Sequence, residues 1–108
     1  MIRRGEVWWA DLEEPRGLAP VVVLQSDDFN RSRIGTVVAL AVSSKLRLLD
    51  APGNVLLMSR SSGLLKDSVA NVSQVVTIDR EMLTERAGKL DPGTMLAIGR
   101  GVRLVLGL

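Results

Sequence analysis

The chain has 108 residues, of which 46% are hydrophobic and 24% charged, and it contains no Cys, His or Tyr. This balance is typical of a globular protein, and we expect one domain over residues 1–108. The missing residue types exclude disulfides, thiolate nucleophiles, His-based acid–base catalysis and the usual zinc sites. Its apolar runs are too short to cross a bilayer, and no signal-peptide pattern follows the N-terminus, so we expect a cytoplasmic protein without a membrane partner.

The charges are distributed unevenly, although the net charge is only +2. Residues 1–28 carry an excess of acids and residues 67–108 are balanced, whereas residues 29–66 hold six basic residues and a single acid, Asp50. A basic segment without compensating acids is what a polyanion-binding face requires. It is also compatible with solvated loops between strands.

The first half of the chain predicts three strands. Residues 5–12 alternate in polarity, residues 21–25 are β-branched and apolar, and residues 36–43 are rich in Val. The connections contain turn residues, and residues 26–33 have the composition of one helical turn capped by Ser26 or Asp27. A basic loop is expected at residues 44–52.

The second half predicts three further strands and two helices. We expect strands at 54–58, 68–72 and 74–78, with a Gly-containing loop at 59–66. Asp79 is then read as the cap of a short helix that reaches about Arg86 and is broken by residues 88–90. Asp91 and Pro92 begin a last helix, which Gly107 ends. Its apolar positions are expected to form one broad face: Met95, Leu96, Ile98, Val102, Val105 and Leu106. We therefore expect a mainly β (α+β) fold: a small antiparallel sheet or half-open barrel with a C-terminal helix across it.

Some side chains have both a structural and a functional interpretation. Trp8 and Trp9 point to opposite faces of one strand; one belongs to the core, and the other stacks on a nucleic-acid base or packs between subunits. Ser43, Ser44 and Lys45 close the third strand and begin the basic loop, which is typical of a phosphate site and also of an ordinary turn.

Two further polar residues remain open in the same way. Gln74 either contacts base edges or caps a turn. Arg16 either presents a cation to a phosphate or forms a surface ion pair with the neighbouring acids Glu13 and Glu14.

Taken in order, these segments resemble the MazF/PemK toxins. The similar segments cover nearly the whole chain: 4–12, 20–27, 30–32, 53–55, 63–64, 67–69, 74–79, 83–90 and the last helix. Each motif is short, and their agreement in sequence order carries the resemblance.

The resemblance implies a small SH3-like antiparallel barrel of the type shared by CcdB and PemK toxins, with C-terminal helices, working as a homodimer. It implies the toxin of a type II toxin–antitoxin pair, inhibited by a cognate antitoxin. It also implies a sequence-specific, metal-independent endoribonuclease, with no cofactor, that cleaves single-stranded RNA such as mRNA to 2′,3′-cyclic phosphate and 5′-OH ends.

The resemblance also suggests site residues. A family Thr aligns with Ser43, which would orient the scissile phosphate, while Arg16 is the candidate for the family's catalytic Arg. RNA-binding roles are expected for five residues: Ser44, Lys45, Arg47, Arg60 and Gln74.

The sequence departs from the family at Ala19, where an Arg usually precedes Pro20, and the loop before it is several residues shorter than usual. Three explanations remain open: loop residues are missing from the sequence as it stands, Arg16 serves instead, or the protein binds RNA or antitoxin without efficient turnover. A gyrase poison with the same fold is disfavoured, because the chain has no aromatic ending after Arg103.

Overall fold

The computed structural model describes residues 1–13 and 17–108. They form six strands, three helices and two 3₁₀ turns. The elements follow this order: β1 (Glu6–Asp11), β2 (Leu18–Val23), α1 (Asp27–Asn30), β3 (Thr36–Ser43), a 3₁₀ turn (Leu46–Asp50), β4 (Val55–Leu57), α2 (Ser59–Ser62), β5 (Ser68–Asp79), a second 3₁₀ turn (Arg80–Met82), β6 (Leu83–Lys89) and α3 (Pro92–Leu106).

All six strands belong to one antiparallel sheet in the order β4-β5-β3-β2-β1-β6. The sheet is curled into a half-barrel, which confirms the expected mainly β fold with a C-terminal helix. β2 lies in the middle, and its valines contact hydrophobic clusters on both faces: Val22 packs in the larger cluster and Val21 in the smaller. This explains why its sequence is apolar without alternation.

The two tryptophans divide between these clusters. Trp9 packs against the larger cluster, which includes Leu40, Leu57 and Ile98, and Trp8 packs against the smaller one around Ala39. Both side chains are half-buried, so the expected separation to opposite faces is confirmed, but neither tryptophan is fully enclosed.

Helix α3 begins and ends as predicted. The Asp91 carboxylate accepts a hydrogen bond of 2.7 Å from the Thr94 backbone N–H, Pro92 occupies the first turn, and Gly107 ends the helix with φ of 70°. Its buried face is narrower than the sequence suggests. Met95 and Ile98 are buried, whereas the predicted face residues Leu96, Val105 and Leu106 are exposed.

The predicted helix from Asp79 to Arg86 is wrong. Only Arg80–Met82 form a 3₁₀ turn, the Asp79 side chain makes no capping hydrogen bond, and Leu83–Lys89 form strand β6. β6 pairs with the edge of β1 that β2 leaves free, and this tertiary pairing outweighs the local helical preference of the segment. The residues expected to break that helix, 88–90, instead end the strand.

The remaining differences are local. The strands expected at 68–72 and 74–78 form one strand, β5, which pairs with β3 across a register shift between Leu40 and Val42. The expected loop at 59–66 begins with α2, and the basic loop contains the first 3₁₀ turn. In the described part of the chain, no helix has the length and hydrophobicity needed to cross a membrane.

Candidate active site

A groove of about 440 Å³ opens beside the ends of β2 and β3. Its size is within the usual range for a small-ligand site. The described residues that line it come from five segments: Trp9; Leu18, Ala19 and Pro20; Val42, Ser43 and Ser44; Leu64, Leu65 and Lys66; and Ser68. Most of this lining is apolar, and its hydroxyl groups are provided by three serines.

Ala19 and Ser43 lie on neighbouring antiparallel strands. Val21 of β2 pairs with Ala41 of β3, and Ala19 and Ser43 are each two residues further from that pair, towards the start of β2 and the end of β3. Both residues line the groove. The two positions at which the sequence departs from the family pattern therefore share one site.

Ser43 presents a hydroxyl that can still donate a hydrogen bond. It is the last residue of β3, pairs with Val69 of β5 and is half-buried. The Lys45 backbone N–H donates to Ser43 Oγ over 3.2 Å, which fixes the oxygen and uses only its acceptor capacity. The hydroxyl hydrogen therefore remains available to an acceptor such as a phosphate oxygen.

Of the five residues predicted to bind RNA, Ser44 lines this groove. Lys45 follows Ser44 as an exposed residue and is not part of the lining. Arg47 lies on the 3₁₀ turn beside β4 and β5, Arg60 lies on α2 against β6, and Gln74 is exposed on β5. These last three do not line the groove, and their RNA contacts remain predictions.

Arg16, the candidate substitute for the family Arg, lies outside the described residues. Two backbone hydrogen bonds connect the residues on either side of 14–16. The Gly17 N–H donates to the Glu13 carbonyl, and the Leu12 N–H donates to the Gly17 carbonyl. The role of Arg16 in catalysis remains a prediction.

The sequence reasoning did not single out Lys66, Ser68 and Trp9 as neighbours of Ser43. A signal was present, because antiparallel pairing of the strand at 36–43 with the strand at 68–72 brings the start of one to the end of the other. The observed pair is Ser43 with Val69, which places Lys66 and Ser68 beside the groove. Among the described residues, no cluster of three potential metal ligands is found.

Comparison with known proteins shows which family the chain belongs to. Residues 3–106 match the model of the PemK-like, MazF-like toxin of type II toxin–antitoxin systems. The chain is 42% identical over 113 residues to endoribonuclease MazF2 of Mycobacterium bovis, covering 100% of the chain and 99% of that relative. Endoribonuclease MazF6 of Mycobacterium tuberculosis matches with the same identity and coverage.

Solved structures agree with this result. An endoribonuclease in complex with its cognate antitoxin, from a mycobacterial species, has a TM-score of 0.86 at 25% identity, covering 100% of this chain and 97% of that one. A MazE–MazF structure from Deinococcus radiodurans has a TM-score of 0.81 at 18% identity over 99% of this chain and 96% of that one, and it supports the fold alone. The chain belongs to the PemK-like, MazF-like toxin family of type II toxin–antitoxin systems.

Proposed function

We propose that the protein is an endoribonuclease toxin that cleaves single-stranded RNA in the groove beside Ser43 and is inhibited by a cognate antitoxin. The observation that carries the proposal is the 42% identity, over the full chain, to relatives named endoribonucleases. The groove supports it by joining a hydroxyl group to an apolar surface large enough for a nucleotide.

The chemistry needs no metal and no histidine. The ribose 2′-oxygen attacks the adjacent phosphorus and loses its proton, the bond to the 5′-oxygen breaks, and that oxygen takes up a proton. The products are a 2′,3′-cyclic phosphate and a 5′-OH. The Ser43 hydroxyl donates to a non-bridging phosphate oxygen and holds the phosphate in line for attack.

Cleavage of mRNA requires the protein to act in the cytoplasm, and the proposal includes a homodimer. Several large apolar side chains near the end of α3 are exposed, among them Leu104, Val105 and Leu106. A second copy of the chain would cover such residues, as is expected for a small domain with a limited core. The exposed cations Lys45, Arg47 and Arg60 would attract the RNA backbone.

The test is incubation of purified, antitoxin-free protein with a long, weakly structured RNA in EDTA, with the cut ends mapped. We expect discrete cuts with 5′-OH ends, and a loss of about 100-fold in rate for Ser43→Ala. Ser43→Thr keeps the hydroxyl and should retain activity. Ser26→Ala is the matched control, because Ser26 is exposed and its side chain makes no capping hydrogen bond.

Two outcomes would change the proposal. A folded protein that binds RNA or antitoxin but makes no cuts would support the impaired relative. Cuts that disappear with Arg16→Ala would assign the family Arg's role to Arg16, and cuts that survive this substitution would remove that assignment.

A further inference from the structure

We propose that Lys66 provides the positive charge at the scissile phosphate, in the site where the family pattern has an Arg and this chain has Ala19. The inference rests on the proposed function. Of the described residues that line the groove, Lys66 is the one with a charged side chain. It shares that groove with both Ala19 and Ser43.

The backbone around Lys66 is held firmly, although its side chain is exposed. The Ser68 hydroxyl donates to the Lys66 carbonyl over 3.0 Å, and the Asp67 carboxylate accepts a hydrogen bond of 2.8 Å from the Ser59 N–H. The Ser59 hydroxyl also donates to the Leu64 carbonyl. These bonds connect the loop to α2 and β5, so the long side chain of Lys66 starts from a fixed point.

The ammonium group is available for a ligand. Within residues 1–13 and 17–108, the ion pairs are Arg31 with Asp28 and Arg86 with Glu6, and neither involves Lys66. A lysine ammonium is a compact charge with three donors on a flexible stem, which suits a phosphate oxygen.

The proposed task is electrostatic and moves no proton. Negative charge on the non-bridging oxygens grows as the 2′-oxygen bonds to phosphorus, and a cation fixed beside them stabilises that state more than the ground state. A bound RNA strand that displaces water from the apolar walls of the groove would strengthen this interaction. Lys66 and the Ser43 hydroxyl would then contact the same phosphate.

Lys66 variants test this proposal by their cleavage kinetics. We expect Lys66→Ala and Lys66→Gln to lower kcat/KM about 100-fold, mainly through kcat, and Lys66→Arg to stay within about tenfold of the parent. Lys89→Ala is the matched control, since Lys89 is an exposed lysine at the end of β6 and does not line the groove. Lys66→Gln with parental activity would overturn the proposal.

A double variant tests whether Lys66 performs the task of an Arg at the Ala19 position. Adding Ala19→Arg to Lys66→Ala should restore at least about tenfold of the lost rate, because the new guanidinium would reach the same phosphate. A double variant that stays at the level of Lys66→Ala overturns the assignment of one task to both positions.

A binding measurement separates failure of this inference from failure of the proposed function. The probe is a mixed-sequence 2′-O-methyl RNA oligonucleotide, which has no free 2′-OH and is not cleaved by this chemistry. We expect Lys66→Ala to reduce the slope of log affinity against log salt by about 0.7, as for one lost phosphate contact with a single strand. If the parent binds without cleaving natural RNA, the proposed function fails, and a reduced slope would still support the phosphate contact.

The remaining outcomes are also distinct. If the parent cleaves RNA and Lys66→Ala behaves as Lys89→Ala in both assays, this inference alone is overturned. If the parent neither binds nor cleaves, both proposals are overturned.

Discussion

The Arg86 guanidinium donates a hydrogen bond of 2.9 Å to the carboxylate of Glu6, which is only 2% exposed. This contact joins β6 to β1, the strand that carries Trp9 into the groove. The same carboxylate accepts two more hydrogen bonds, from the Trp8 indole N–H over 3.0 Å and from the Arg3 backbone N–H over 2.8 Å. A buried charge with three donors therefore holds the edge strand in its register.

We predict that Glu6→Gln destabilises the protein by about 2 kcal/mol, because the amide loses the charge and offers an N–H₂ group to one of the three donors. Urea unfolding at pH 7 measures this change. Glu85→Gln is the matched control on β6, since Glu85 is exposed, and it should change stability by less than about 0.5 kcal/mol. Equal effects of the two substitutions would contradict the role given to Glu6.

The same carboxylate predicts a pH dependence. Burial by itself raises the pKa of Glu6, but the hydrogen bonds and the Arg86 charge outweigh burial and hold the pKa below its ordinary value of 4.5. A depressed pKa in the folded state means that this contribution is complete above about pH 4.5 and is lost as the pH falls through the folded-state pKa. The stability difference between the parent and Glu6→Gln should therefore be constant from pH 5 to 7 and shrink in more acidic solution.

Two glycines of α3 provide a matched test of how closely the helix approaches the sheet. A Cβ added at Gly101 would collide with the Gly53 carbonyl and lie 2.9 Å from Val72 Cγ1, whereas a Cβ at Gly99 has nothing within 4 Å. We predict that Gly101→Ala destabilises by about 2–3 kcal/mol and that Gly99→Ala stabilises by up to about 1 kcal/mol. Thermal and urea unfolding measure both, and a neutral Gly101→Ala would show that the helix can shift away from Gly53.

The elements that the sequence predicts correctly are those whose local signals agree with their tertiary contacts. α3 has an Asp cap, Pro in its first turn and a Gly at its end, and all three signals lie within the helix or directly beside it in the sequence. β2 is also predicted, although it spans Leu18–Val23 and not residues 21–25, and its three buried valines fit the continuous apolar run of a central strand. In these cases the residues nearby in sequence decide the structure.

β6 was mispredicted because its decisive contacts are far away in sequence. Residues 80–86 have a helical composition, but Thr84 Oγ1 donates to the Trp9 carbonyl and Arg86 reaches Glu6. Such contacts have no signature within the segment itself. The site shows the same limit, since the nearness of Lys66 to Ser43 follows from the register of β3 on β5.

The exposed cations predict a salt-dependent affinity for RNA. Lys45, Arg47 and Arg60 lie on the surface outside the groove lining, so they would act on the backbone charge of the strand. We predict that affinity for the 2′-O-methyl oligonucleotide falls steeply between 50 and 200 mM salt, and that replacing all three by Gln lowers the log–log slope by about 2. Arg33→Gln, which removes another exposed cation of the basic segment, is the control for a general charge effect. A flat salt response would contradict the electrostatic role of this surface.

The two tryptophans allow occupancy of the groove to be observed directly. Trp9 lines the groove, whereas Trp8 packs against the smaller cluster and donates to Glu6. In the Trp8→Phe variant the remaining tryptophan is Trp9, and we predict that its emission is quenched and shifted when the 2′-O-methyl oligonucleotide binds, because a base or sugar displaces water from the indole.

The reciprocal variant is the control for this measurement. Trp9→Phe leaves Trp8 as the only tryptophan, and its emission should change little on binding, provided that circular dichroism shows the same fold for both variants. A response of Trp8 without one of Trp9 would place the RNA on the other face of β1. Equal responses would instead indicate that binding rearranges the sheet, because the two side chains pack against separate clusters on opposite faces of one strand.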